Sequence, residues 1–142
     1  MTVRIEVMRS MMAAWAAGDI DRVVDHLHPD IVWHYAAATH PPARGPEQCR
    51  KMMLHLQPEM TDVVWTVFGH AESGDRLFLE GVDSYTAANG ARISTPYAGV
   101  IDFDGDLIVG WRDYVDLGVA ASQRAGDAYT PQVIELLHRP AV

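Results

Sequence analysis

Residues 104–116 read DGDLIVGWRDYVD, and the fold prediction starts from this stretch. A glycine turn opens it, an apolar run typical of a strand follows, and Asp113 appears where the strand should still continue. Alternate residues of a strand share one face, so Asp113 is expected on the same face as Trp111. Val109 and Val115 are expected on that face as well. A carboxylate among such neighbours must be paired, hydrogen-bonded or used in chemistry.

A second run, residues 79–85, reads LEGVDSY and repeats this arrangement. In an extended chain, one of its faces carries Leu79, Gly81, Asp83 and Tyr85. Two strands that each direct one aspartate into an apolar surface predict a functional site around Asp83 and Asp113.

The composition excludes several classes of partner. The chain has 142 residues, 49% of them hydrophobic, and a formal net charge of −8. This length predicts a single domain over residues 1–142. The negative charge argues against nucleic acid or an anionic membrane as partner, and no apolar run approaches the roughly 20 residues of a membrane span. Residues 1–6 are charged, unlike a secretory signal, so we expect a cytoplasmic protein.

The cysteine and histidine content predicts neither a metal ion nor another cofactor. Cys49 is the only cysteine, which excludes an internal disulfide and a cysteine zinc cluster. The seven histidines show no helical i, i+4 spacing with a supporting carboxylate.

The order of elements predicts an α+β fold. Apolar residues at helical spacing predict a first helix that ends at Gly18, a second helix capped by Asp19, and a third opened by Gly45 and Pro46. In the later chain, apolar and polar residues alternate with the two-residue period of strands, and an Asn-Gly pair at 89–90 predicts a hairpin. We expect one curved antiparallel sheet whose final strand runs to residue 117. About three N-terminal helices cover one face of it, and a short helix follows over residues 130–138.

Several other side chains are candidates for the wall of a pocket. Trp33 and Tyr35 share a face of the first strand, while Tyr85 and Tyr97 lie on the presumed inward faces of theirs. Met53 belongs to the apolar stripe of the third helix, where methionine provides an adaptable wall; core packing is the alternative interpretation.

Two motifs carry a resemblance to a known family. The chain opens with a helix, WAAGD at 15–19, a second helix, HPD at 28–30 and a Trp-bearing strand, which resembles nuclear transport factor 2-like cone folds. Residues 110–116, GWRDYVD, are similar to the last long strand of limonene-1,2-epoxide hydrolases and SnoaL-like polyketide cyclases. The resemblance implies a cone-shaped sheet with the helices on its concave side, and a homodimer.

The resemblance also implies roles for individual residues. In the epoxide hydrolases, the aspartate matching Asp113 is the base that activates water, and the one matching Asp83 protonates the epoxide oxygen. Gly81 stands where that family has an arginine between the two carboxylates. Trp33 and Tyr35 stand where it has a tyrosine and an asparagine that hold the water, so Tyr35 is a partial substitute.

These observations predict an enzyme that uses paired aspartates on a small hydrophobic or aromatic substrate. Epoxide hydrolysis to a diol is the first expectation, since one carboxylate can serve as base and the other as acid. A cofactor-independent isomerase, cyclase or lyase is the alternative, and a non-catalytic ligand-binding domain is the third. In each case Trp33, Met53, Tyr85, Tyr97, Trp111 and Val115 are expected to contact the ligand. Gly81 is expected to leave room for a bulkier substrate.

Overall fold

The computed structural model describes residues 3–142, and within them every side chain except that of Ala38. Residues 1 and 2, which belong to the charged N-terminal segment 1–6, lie outside the described residues. Over the described range, no helix is both long and apolar enough to cross a membrane.

Three helices precede most of the sheet, as the sequence predicts. The first, α1, spans Arg4–Ala16 and is followed by Gly18, whose φ of 73° is the left-handed conformation that favours glycine. The second, α2, spans Ile20–Val24, and the side chain of Asp19 caps it by accepting from the N–H of Arg22. The third, α3, spans Gly45–Leu56 and has a proline in its first turn. Short 3-10 helices lie at Ala37–Thr39 and Gln57–Glu59.

The six strands form one curved, unclosed sheet in the order β2-β1-β6-β5-β4-β3. Their bounds are β1 Leu27–His34, β2 Ala43–Arg44, β3 Thr61–Ser73, β4 Arg76–Thr86, β5 Arg92–Asp104 and β6 Leu107–Val115. The α+β class is confirmed, with one difference in the sheet: β1 pairs with β6 in parallel, so the sheet is mixed and not wholly antiparallel. Parallel partners need a long connection, and here α3 and four strands supply it.

The main core lies between the three N-terminal helices and one face of the sheet. Met8 and Met11 of α1 and Met53 of α3 are almost fully buried there, against Ile31 of β1 and Ile101 of β5. This packing leaves the inner face of β4, β5 and β6 turned towards the helices.

A β-bulge in β6 changes which residues of that strand face the core. Phe103 pairs with Ile108 and Asp102 with Gly110, so Val109 has no partner opposite it. The prediction that Val109 shares the face of Trp111 is therefore wrong, because the bulge turns Ile108 inward instead. Beyond the bulge the alternation resumes.

Two further helices follow β6. The sequence predicts the second, α5, which spans Pro131–Leu137 and is capped by Thr130. It does not predict the first: α4 begins at Leu117, where the final strand was expected to end, and spans Leu117–Arg124. The side chain of Gln123 anchors α4 to β5. Its Oε1 accepts the N–H of Ser94 at 2.7 Å, and its Nε2 donates to the Ser94 carbonyl at 3.0 Å.

Candidate functional site

A pocket opens between the N-terminal helices and the inner face of the sheet. Its cavity volume is about 50 Å³. The wall is mostly aromatic and methionine side chains, and it includes all four tryptophans of the chain. The lining residues are Met11, Met12, Trp15, Val23, Trp33, Tyr35, Met53, Leu56, Met60, Val63, Trp65, Asp83, Tyr97, Trp111 and Asp113.

Asp113 lies at the sheet side of this pocket and is 5% exposed. Its Oδ2 accepts a hydrogen bond from Nε1 of Trp33 at 2.7 Å, and its Oδ1 accepts one from the hydroxyl of Tyr97 at 2.8 Å. Burial raises the pKa of this carboxyl to about 6, against the lowering effect of the nearby donors: the N–H of Trp33, the hydroxyl of Tyr97 and the N–H of Trp111. The carboxylate is thus held in place while it keeps an affinity for a proton near neutral pH.

The aromatic residues around Asp113 form a connected group. The rings of Trp33 and Trp111 stack with their centroids 4.9 Å apart and an interplanar angle of 19°. Nε1 of Trp111 donates to the hydroxyl of Tyr97 at 3.5 Å, and that hydroxyl donates onward to Asp113. Trp33 and Trp111 are partners across the parallel β1–β6 pair, which explains why two distant segments supply neighbouring rings.

Asp83 lines the same pocket from β4, two strands from Asp113. Its Oδ1 is buried and has no hydrogen-bond partner among the described residues. Burial, and after it the negative charge of Asp113, raises the pKa of Asp83 to about 7. Burial raises the pKa of both carboxyls, but only Asp113 accepts hydrogen bonds that favour its ionised form, so Asp113 ionises more readily than Asp83.

Tyr35 lies directly after β1 and lines the pocket close to both aspartates. Its ring meets Trp33 edge to face at 6.0 Å and stacks on His40 at 5.8 Å. Burial, with smaller contributions from Tyr85 and the two aspartates, raises the pKa of Tyr35 to about 12. The phenol thus stays protonated and is a hydrogen-bond donor at every pH of interest.

Seven of the nine residues that the sequence assigns to the site lie in this wall. Besides Asp83, Asp113 and Tyr35, they are Trp33, Met53, Tyr97 and Trp111. The other two do not line the pocket. Tyr85 packs in a second apolar cluster with Ile93 and Ala120, while Val115 packs against the main core and borders a different groove.

The expectation that Gly81 leaves room for a larger substrate is wrong. A Cβ at this position would overlap the carbonyl oxygen of Thr66, because β3 passes directly against the glycine. Gly81 is also absent from the lining of the pocket. The same overlap means that this backbone has no room for the arginine that the epoxide hydrolases carry here.

Several lining residues have no place among the predicted site residues. Of these, Met12 and Trp15 belong to the apolar stripe of α1, and Trp65 belongs to β3. The helical spacing of the stripe was the available signal, but spacing alone does not distinguish a packed core from the edge of a cavity. No three His, Cys, Asp or Glu residues in the described part of the chain are grouped as a metal site would require.

A curved α+β sheet covered by N-terminal helices, with an apolar pocket that holds two carboxylates, defines this protein as a nuclear transport factor 2-like domain. The chain belongs to the SnoaL-like domain family, whose model matches residues 8–111. No curated protein gives a significant sequence match.

Solved structures with the same fold support this assignment. A hypothetical protein with a ketosteroid isomerase-like fold from Catenulispora acidiphila, in complex with trimethylamine, is 21% identical with a TM-score of 0.77, covering 91% of this chain and 100% of its own. An LEH-like epoxide hydrolase from M. tuberculosis is 19% identical with a TM-score of 0.72, covering 87% of this chain and 92% of its own. A putative SnoaL-like polyketide cyclase from Shewanella putrefaciens is 12% identical with a TM-score of 0.77, covering 89% and 99%. At these identities the likeness concerns the fold alone.

Proposed function

We propose that this protein is an acid–base enzyme that acts on a small apolar molecule in the pocket, with Asp113 as the base and Asp83 as the acid. The observation that carries the proposal is the unequal environment of the two carboxyls. Asp113 accepts two hydrogen bonds that favour its ionised form, whereas the buried Oδ1 of Asp83 has no partner among the described residues. Two carboxyls whose surroundings separate their protonation states are suited to act as base and acid.

The first candidate reaction is hydrolysis of an epoxide. Asp113 takes a proton from water, the water oxygen forms a bond to one epoxide carbon, and the bond from that carbon to the epoxide oxygen breaks. Protonated Asp83 donates its proton to the leaving oxygen, so the product is a diol. The proton on Asp113 then returns to Asp83 through solvent. In this reaction the phenol of Tyr35, which lines the same pocket, orients the water or the substrate oxygen.

The second candidate is proton transfer at a carbon next to a carbonyl group, as in an isomerase, cyclase or lyase. It is favoured by the contact between Gly81 and Thr66, which excludes the arginine that bridges the carboxylates in the epoxide hydrolases. Asp113 would take the proton from carbon, and protonated Asp83 or Tyr35 would donate a hydrogen bond to the enolate oxygen. The aromatic wall would keep bulk water from the intermediate.

The test is turnover of a panel of cyclic and aryl epoxides in heavy-oxygen water by wild type, Asp113→Asn and Asp83→Asn. Labelled diol from wild type only would support the hydrolase. If no diol forms, carbonyl compounds are tested for deuterium exchange at the adjacent carbon. Quenching of tryptophan fluorescence reports binding for every variant, because all four tryptophans line the pocket. Binding without turnover or exchange, unchanged in Asp113→Asn, would favour a non-catalytic ligand-binding domain and overturn the proposal.

A further inference from the structure

Gly99 of β5 lies directly opposite Asp113 of β6 in the antiparallel register. Its backbone is not in the left-handed region that would by itself call for glycine. The residue does not line the pocket either, so neither conformation nor contact with a ligand accounts for it. The reason for a glycine here must lie in what occupies the space beside it.

That space is filled by the side chain of Tyr97, two residues earlier on the same face of β5. A Cβ added at Gly99 would stand 2.5 Å from the hydroxyl oxygen of Tyr97 and 3.0 Å from its Cζ. It would also stand 3.2 Å from Cδ1 of Ile101. The tyrosine therefore lies along its own strand, over Gly99, and in this position its hydroxyl donates to Oδ1 of Asp113 at 2.8 Å.

We propose that Gly99 is a positioning residue of this site: its missing side chain leaves the space through which the hydroxyl of Tyr97 reaches Asp113 and holds the carboxylate ready to accept a proton. A methyl group at this position cannot share the space with the hydroxyl, so the side chain of the buried Tyr97 has to move away from Gly99. Asp113 then loses one of its two direct donors. The importance of Gly99 for catalysis rests on the proposed role of Asp113 as base. The effect of Gly99 on the pKa of Asp113 does not depend on that role.

The groups that face Asp113 determine whether its pKa rises or falls when the Tyr97 hydroxyl is displaced. Trp33 and Tyr97 donate to it, Trp111 lies beside it, and Tyr35 and Asp83 share its pocket. Among the described lining residues, Asp83 is the other charged side chain, and its negative charge opposes ionisation of Asp113. The hydroxyl of Tyr97 is one of the donors that lower the pKa of Asp113, so this pKa rises when the hydroxyl is displaced.

The experiment measures the pKa of Asp113 in the full chain by carbon NMR of labelled aspartate carboxyls, with the resonance assigned through Asp113→Asn. We expect Gly99→Ala and Tyr97→Phe each to raise this pKa by about one pH unit. Adding Gly99→Ala to Tyr97→Phe should give no further rise, because the hydroxyl through which Gly99 acts is already gone. Gly69→Ala is the matched control: its added Cβ has no atom within 4 Å, and the pKa should stay at the wild-type value.

Two results would overturn the inference. One is an unchanged pKa in folded Gly99→Ala. The other is a rise in the pKa of Asp113 when Gly99→Ala is added to Tyr97→Phe that equals the rise caused by Gly99→Ala alone. Such a rise would mean that the methyl group acts without the hydroxyl. If Gly99→Ala fails to fold, Tyr97→Leu is added to remove the outer part of the ring. Recovery of the fold then supports the proposed contact, and a double variant that stays unfolded contradicts it. None of these measurements requires turnover, so they test the role of Gly99 even if the protein does not catalyse the proposed reaction.

Discussion

The indole N–H of Trp33 donates to Oδ2 of Asp113 over 2.7 Å, although 80 positions separate the two residues in the sequence. The contact exists because β1 and β6 are parallel neighbours with Trp33 opposite Trp111. Asp113 is the next residue of β6 on the same face as Trp111. The parallel pair thus places a buried donor beside a buried carboxylate, and this pairing determines how Asp113 behaves.

Trp33→Phe removes the indole N–H while it keeps an aromatic ring in the wall. A hydrogen bond to a charged group contributes about 1.5–3 kcal/mol, so the pKa of Asp113 should rise from about 6 by about 1–2 pH units. The acidic limb of any activity that needs ionised Asp113 should move by the same amount. Carboxyl NMR and a pH–rate profile measure the two effects. Trp15→Phe changes another lining tryptophan without touching Asp113, and a similar shift in that control would contradict the interpretation.

The stability of the fold should depend on pH through Asp83. Its pKa is about 7 in the folded protein against an ordinary 3.8, so the folded state binds this proton more tightly than the unfolded state. The stabilisation is complete below pH 4 and is lost as the pH rises through 7. Asp83→Asn, which resembles the protonated form, should therefore gain stability over wild type by a few kcal/mol, on the order of 2–4, between pH 4 and pH 8. Urea unfolding of both proteins at pH 4, 6 and 8 measures this. A difference that stays constant with pH would show that burial of the carboxyl is not its cause.

The local pattern of the sequence predicts the two aspartates and much of the wall. Alternation along a strand depends only on neighbouring residues, so residues 79–85 and 107–115 are sufficient to direct Asp83 and Asp113 inward. The roles of Trp33 and Tyr97 could not be predicted in this way. They donate to Asp113 because β1 pairs with β6 and because Gly99 leaves a space. Neither the strand pairing nor this space can be predicted from the alternation of residues within one strand.

The two residues that lie outside the pocket show a second limit. Tyr85 was assigned to the wall from strand alternation, but it packs with Ala120 of α4, a helix that the sequence analysis did not predict. A signal for α4 was present, since the side chain of Asp116 caps the helix by accepting from the N–H of Val119. The long apolar strand before it made a continued strand the more obvious interpretation.

Gln123→Leu tests how α4 is attached. In the structure Gln123 pairs with both the N–H and the carbonyl of Ser94, as a neighbouring strand would. Leucine has a similar volume but no polar atoms, so two buried backbone groups would lose their partners at a cost of about 2–4 kcal/mol. Urea unfolding measures the loss. Ala121→Ser, at an exposed position of the same helix, should change stability by about 0.5 kcal/mol or less, and an equal loss in both variants would count against the proposed attachment.

Gly81 should be intolerant of any side chain, for a reason unrelated to catalysis. Its added Cβ would overlap the Thr66 carbonyl, which is backbone and cannot rotate away. Gly81→Ala should therefore destabilise the protein by about 2 kcal/mol or more, and Gly81→Arg should not fold rather than bridge Asp83 and Asp113. Thermal and urea unfolding measure these effects, with Gly69→Ala as the control because its Cβ meets no atom within 4 Å. A stable Gly81→Arg variant would show that β3 can move aside, and it would return the arginine-bridged arrangement of the epoxide hydrolases to consideration for this pocket.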